Sequence, residues 1–86
     1  MKVLIVEDNE VSLTLLQATL TSAGYQVETA RDGAEALDRV RSEGFRLVVS
    51  DWEMPHLNGP DLCKAIRTAD LPGYVYFLLV TSHDSP

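Results

Sequence analysis

The stretch Phe45-Arg46-Leu47-Val48-Val49-Ser50-Asp51, continuing into Trp52-Glu53-Met54-Pro55-His56-Leu57-Asn58-Gly59-Pro60, decides how this chain is read. Its first half is a largely apolar, β-branched run that ends on a carboxylate, as expected of a strand in the interior of a sheet. Its second half holds two prolines, an asparagine and a glycine, and reads as a loop. Asp51 therefore stands at the carboxyl end of a strand.

Toward the N-terminus, Val3-Leu4-Ile5-Val6 is a continuous aliphatic run stopped by Glu7-Asp8-Asn9, the pattern of a central strand covered on both faces. From Glu10 to Ala23, apolar residues recur at helical spacing at Val11, Leu15 and Ala18 and again at Leu13, Leu16 and Leu20, an unusually wide arc. Asn9 or Asp8 can cap this helix and Gly24 can end it. Tyr25 to Thr29 alternates apolar with polar residues and predicts a strand at a sheet edge. Asp32-Gly33 marks a turn, and a second helix over Ala34 to Ser42 carries Ala36, Leu37 and Val40 inward before Gly44 stops it.

Toward the C-terminus, Asp61 to Arg67 or Thr68 predicts a third, short helix with Leu62, Ala65 and Ile66 on its apolar side, broken by Leu71-Pro72-Gly73. Tyr74 to Val80 is the most β-prone stretch of the chain, and a polar tail from Thr81-Ser82 to Pro86 follows it. Strands alternating with helices predict an α/β fold, a parallel sheet with right-handed crossovers and helices on both faces. Ligands of such sheets bind at the carboxyl ends of the strands, here occupied by Glu7, Asp8, Asp51 and Thr81.

Composition agrees and narrows the function. At 86 residues the chain is at most one small domain, and 45% hydrophobic with 23% charged residues belongs to a globular protein. Thirteen acidic against seven basic residues give a formal charge of -6, which argues against direct nucleic-acid or anionic-membrane binding. The single cysteine, Cys63, excludes an internal disulfide and suits a reducing compartment. The apolar run after Lys2 is too short for a signal-peptide core or a membrane span, so cytoplasmic localisation is expected.

Three carboxylates from two strand ends would converge although they lie far apart in sequence. Two unit charges about 4 Å apart repel by about 4 kcal/mol at an effective dielectric near 20, so the cluster must bind a cation or hold a proton. Mg²⁺ fits best, because it accepts one or two carboxylates, keeps several waters and leaves room for phosphate oxygens. Calcium usually requires more protein oxygens from one contiguous loop.

Along its whole length the sequence resembles the response-regulator receiver domains of two-component systems. Ile5-Val6-Glu7-Asp8-Asn9 is similar to that family's first strand and acidic pair, Val48 to Gly59 to its phosphoacceptor strand and loop, and Val80-Thr81-Ser82 to the end of its fourth strand. The resemblance implies a flavodoxin-like fold with strand order 2-1-3-4-5, an order that comes from the family and not from the pattern of these residues. It implies Asp51 as the nucleophile that takes a phosphoryl group from a phosphohistidine on a sensor histidine kinase or phosphotransfer protein. It also implies Mg²⁺ held by Glu7, Asp8, Asp51 and the backbone carbonyl of Glu53, with the Thr81 hydroxyl donating to a phosphoryl oxygen. Met54, Pro55 and Gly59 are then structural supports, Gly59 permitting the backbone turn.

The same resemblance predicts departures. Receivers continue through a fourth helix, a fifth strand and a fifth helix, so residues 1–86 are expected to form the first part of one receiver domain, with four strands and three helices. Neither Lys2 nor Lys64 stands at a strand's carboxyl end, which leaves the family's phosphate-binding lysine unfilled, and Ser82 replaces a usual small apolar residue. An uncovered fourth strand and the wide arc of the first helix predict a homodimer or higher oligomer, by edge pairing or domain exchange. No independent turnover is expected. An aspartate-nucleophile phosphohydrolase would instead carry Asp-x-Asp after its first strand. Trp52 is expected exposed near the site, Cys63 a small core or boundary residue, and His56 and His83 without a role. Pro72 to Ser85 weakly resembles receivers joined to cyclic-dinucleotide-synthesising output domains.

Overall fold

A computed structural model describes residues 2–52, 57–69, 71 and 73–80. Four strands and three helices alternate as β1 (Lys2–Val6), α1 (Glu10–Ser22), β2 (Gln26–Ala30), α2 (Gly33–Glu43), β3 (Leu47–Asp51), α3 (Gly59–Thr68) and β4 (Tyr76–Val80). The strands form one parallel sheet in the order β2-β1-β3-β4. β1 pairs Val3 to Val6 with Leu47 to Ser50 of β3, and β3 continues onto β4 with Asp51 opposite Val80. The α/β class, the central place of β1 and the edge place of β2 are as the sequence predicts.

The two faces of the sheet follow from the two-residue period of its strands. Leu4, Val6 and Val48 point into one core with Ala36 and Val40 of α2 and Leu62 and Ile66 of α3. Val3, Ile5 and Val49 alternate onto the other face, where α1 packs along β1 and β2 and buries Leu13. On α1 the outer part of the wide apolar arc is left bare: Val11 is 69% and Leu15 64% exposed. β4 also keeps large apolar groups in solvent, with Tyr76 and Leu78 exposed and Tyr74 stacked edge-on against Tyr76 at 5.0 Å between ring centroids.

Element ends depart from expectation by one to two residues, for local reasons. α3 starts at Gly59, two residues before the predicted Asp61, because the Asn58 side chain accepts a hydrogen bond from the Asp61 N–H at 2.8 Å and Pro60 lies in the first turn. Proline is suited to that position, whose N–H has no intrahelical partner. α2 starts at Gly33 under an Asp32 cap, whose carboxylate accepts from the Glu35 N–H at 2.8 Å, and ends on Gly44 in the left-handed conformation at φ 70°. β4 begins at Tyr76, with Tyr74 and Val75 ahead of it, and β3 at Leu47, with buried Phe45 ahead of it.

One network ties α2 to β2 and to the start of β1. The Arg39 guanidinium donates to Glu28 at 2.8 Å, to Glu43 at 2.8 Å and 3.2 Å and to the Thr29 carbonyl at 2.9 Å. Glu43 also meets Lys2 at 3.4 Å. The Phe45 ring has the Lys2 ammonium 4.9 Å and the Arg39 guanidinium 5.6 Å from its centroid. Hydrogen bonds to Glu43 and Glu28 push the Arg39 pKa further up, and the bond from Arg39 holds Glu43 below the usual carboxylate range.

Candidate functional site

The site is built where β1 and β3 end side by side. Their register puts Val6 opposite Ser50, so Glu7 and Asp8 leave β1 next to Asp51, the last residue of β3. One carboxylate oxygen from each of Glu7, Asp8 and Asp51 lies within 4.8 Å of the others. Glu7 and Asp51 are buried and Asp8 is exposed, which makes a cluster with a closed floor and an open mouth.

Local hydrogen bonds explain the orientation. Two groups could cap α1, and Asn9 takes the role: its side chain accepts from the Ser12 N–H at 3.0 Å, which leaves the Asp8 carboxylate to the cluster. The Asp8 N–H donates to Glu7 Oε2 at 3.1 Å, and the Trp52 N–H donates to Asp51 Oδ1 at 2.8 Å. The buried Ser50 hydroxyl, on the opposite side of β3, donates to the Asp51 carbonyl at 2.9 Å. Trp52 itself is 51% exposed beside the mouth, as expected.

Burial, the hydrogen bond shared with Asp51 and the charge of Asp51, in that order, push the Glu7 carboxyl up to about 7. Below about pH 7 this buried acid beside a second carboxylate keeps its proton unless a cation replaces it. Three hard oxygen donors, two held in a dry floor and one open to solvent, match the few protein ligands and retained waters that a small divalent cation such as Mg²⁺ requires. Among the described residues no other group of three histidine, cysteine or acidic side chains converges in this way.

Of the predicted site residues, Glu7, Asp8 and Asp51 are brought together, while Glu53 and Thr81, with Met54, Pro55, His56, Ser82 and His83, lie outside the described residues. Lys2 and Lys64 take no part: Lys2 sits at the other end of β1 against Glu43 and Phe45, and Lys64 is exposed on α3. Cys63 is half-buried with a free thiol.

Gly59 has a different role from the one expected. The described glycines with positive φ are Gly24 and Gly44, so Gly59 is not needed for a left-handed turn. It is needed for space, because a Cβ there would lie 2.5 Å from the Asp51 carbonyl oxygen and 2.5 Å from Leu79 Cδ2. Its N–H donates to the Trp52 carbonyl at 2.9 Å, which ties the start of α3 to the site.

No helix among the described residues is long and apolar enough to cross a membrane. Residues 3–86 match the response regulator receiver domain. The alkaline phosphatase synthesis transcriptional regulatory protein PhoP of Bacillus subtilis is 44% identical over 70 residues, which cover 81% of this chain and 29% of PhoP. The chain spans about a third of the length of the curated relatives it matches, 29% to 36%. The chemotaxis response regulator CheY4 of Vibrio cholerae superimposes with a TM-score of 0.87 at 38% identity, over 99% of this chain and 71% of that one. The receiver domain of the sensor histidine kinase PA1611 of Pseudomonas aeruginosa, solved with a magnesium ion coordinated in its active-site cleft, does so with a TM-score of 0.88 at 29% identity, over 95% of this chain and 67% of that one. With the sheet order, the acidic cluster at its carboxyl edge and a match along nearly the whole sequence, the chain belongs to the response regulator receiver domain family.

Proposed function

We propose that the chain is the phosphoacceptor module of a two-component phosphorelay and that Asp51 receives the phosphoryl group. The observation that carries this reading is the convergence of Glu7, Asp8 and Asp51 at one strand edge, with the Asp51 carboxylate oriented by the Trp52 N–H. An Asp51 oxygen attacks the phosphorus of a phosphohistidine on a sensor histidine kinase or phosphotransfer protein; an O–P bond forms, the N–P bond breaks, and the released imidazole takes a proton from solvent. Glu7, Asp8, Asp51 and the backbone carbonyl of Glu53 would hold Mg²⁺, which supplies charge neutralisation at the phosphoryl oxygens. The Thr81 hydroxyl would donate to one of those oxygens. The protein has no independent turnover and acts in the cytoplasm, without direct contacts to nucleic acid or membrane.

Exposure to a small acyl-phosphate donor with Mg²⁺ tests the reading by intact mass. One added phosphoryl group is expected on the native chain and none on Asp51→Asn. A native chain that stays unlabelled under conditions that label a complete receiver would overturn it.

Residues 1–86 correspond, on this reading, to the first part of one receiver domain, with its fourth helix, fifth strand and fifth helix outside them. The exposed Tyr76 and Leu78 on β4 favour a second reading, in which the chain by itself is an oligomerising module that pairs through the β4 edge or by domain exchange. Sedimentation at tens of micromolar separates the two: a dimer or higher species supports the second reading and a monodisperse monomer refutes it.

A further inference from the structure

The segments that follow β2 and β3 at the carboxyl edge of the sheet meet at Leu57. Gly33, the first residue of α2, is buried, and a Cβ placed on it would collide with the Leu57 carbonyl oxygen and lie 2.6 Å from Leu57 Cβ. Its φ is not positive, so space and not backbone conformation requires glycine there. Two residues beyond Leu57, Gly59 abuts the Asp51 carbonyl and donates to the Trp52 carbonyl, and Trp52 in turn donates to Asp51 Oδ1. A continuous set of backbone contacts therefore runs from the first turn of α2 to the Asp51 carboxylate.

We infer that Gly33 is a positioning residue for the Asp51 site, acting through Leu57; this rests on the cation-binding reading of Glu7, Asp8 and Asp51. A methyl group at position 33 must displace either α2 or Leu57. The helix is held on both flanks: Arg39 ties it to Glu28 and to the Thr29 carbonyl of β2, Asp32 caps it, and Arg31 just before it pairs with Glu10 at the start of α1. Leu57 belongs to the connection between β3 and α3 and is only partly buried against the core, so it yields first. Its displacement carries Asn58 and Gly59 with it, and Asp51 turns away from Glu7 and Asp8. Groups that orient metal ligands from outside the coordination shell are worth about 10- to 100-fold in affinity, and Gly33 acts in this way by having no side chain.

Titration of the 86-residue chain with Mg²⁺, followed by calorimetry and by the emission of its one tryptophan, Trp52, tests the inference. Gly33→Ala is expected to weaken Mg²⁺ binding about tenfold and to shift the Trp52 response to correspondingly higher Mg²⁺. Val40→Ala, which opens a core cavity farther along the same helix and lowers stability at least as much, is expected to bind like the native chain at a temperature where it is folded. Leu57→Ala, which keeps the carbonyl and Cβ that face Gly33 but removes the part of the side chain that packs this loop against the core, is expected to weaken binding as well. Native affinity in Gly33→Ala, or an equal loss in Val40→Ala, overturns the inference. If Gly33→Ala does not fold, Leu57→Ala decides, and native affinity in that variant overturns it. A native chain that gives no heat and no change in emission overturns the cation-binding reading beneath it, an outcome distinct from binding that Gly33→Ala leaves unchanged.

Discussion

Charge is handled in opposite ways at two places on this small sheet. Along α2, β2 and the start of β1, Arg39 and Lys2 face Glu28 and Glu43, and each charged group has an opposite neighbour within 3.4 Å. At the carboxyl ends of β1 and β3, three acids crowd together and no lysine or arginine pairs with them among the described residues. The first arrangement holds elements together, since complementary charges and hydrogen bonds to a carbonyl reward a single geometry. The second opposes folding and persists because β1 and β3 are locked side by side by buried aliphatic residues. Such stored repulsion is the means by which a binding site prefers its cation to an empty state.

Removing one acid breaks this contrast most completely. Asp51→Asn is expected to abolish phosphoryl labelling and, in metal-free buffer near neutral pH, to raise the melting temperature by several degrees, about 1 kcal/mol for a domain of this size. Calorimetric melts of both chains with and without Mg²⁺ check this, and a lower melting temperature for Asp51→Asn without metal would mean that the cluster carries no repulsion.

Removing the hub of the paired region has the opposite sign. Arg39→Ala strips three acceptors of their donor and the Phe45 ring of one of its two cations, and should cost about 1 to 2 kcal/mol in denaturant unfolding. Affinity for Mg²⁺ should change little, provided the variant is folded.

Acidity sharpens the comparison further. Glu7 has its carboxyl raised from 4.5 to about 7 in the folded chain, so the native state holds a proton that the unfolded state has lost between those values. Metal-free stability should therefore be highest below about pH 4.5 as far as this group is concerned, decline as pH rises toward 7, and level off above it. Excess Mg²⁺ should flatten or reverse that slope, because bound cation rewards the ionised form. Melting curves across this range are the measurement, and a metal-free slope that rises with pH in the native chain and is unchanged in Glu7→Gln would remove Glu7 from the account.

The smallest effect is expected at Lys2. Its contact with Glu43 is long and partly exposed, and exposed ion pairs of this kind are worth about 0 to 1 kcal/mol. Lys2→Met keeps apolar cover on Phe45 and should leave the denaturation midpoint nearly unchanged. A loss as large as that of Arg39→Ala would show that the paired region depends on net charge and not on the geometry of one guanidinium.

Much of this was open to reading from the residues themselves. Val3 to Val6 and Leu47 to Val49 are apolar runs bounded by polar residues, and their burial follows from composition; Asp32 and Gly44 mark the ends of α2 by chemistry that acts within a few residues. Glu7, Asp8 and Asp51 could be nominated because strand ends are where a parallel sheet gathers its ligands. Pro60 misled the reading of α3, since proline breaks a helix interior but suits a first turn, and only the Asn58 cap distinguishes the two cases.

Other features depend on distances between segments remote in sequence. Nothing near Gly33 or Gly59 announces that each must lack a Cβ; that follows from where Leu57, Asp51 and Leu79 come to lie after the sheet has formed. The division of labour between Asn9 and Asp8 is similar, because either could cap α1 and only the approach of Asp51 shows which carboxylate is needed elsewhere. The order of elements, the apolar faces and the acidic strand ends are written in the residues alone, because these rest on interactions within a few residues and on periodicity. Which of the buried acids holds a proton, which glycines are there for space and how Arg39 gathers its partners depend on the tertiary structure, because desolvation and close packing exist only once distant segments touch.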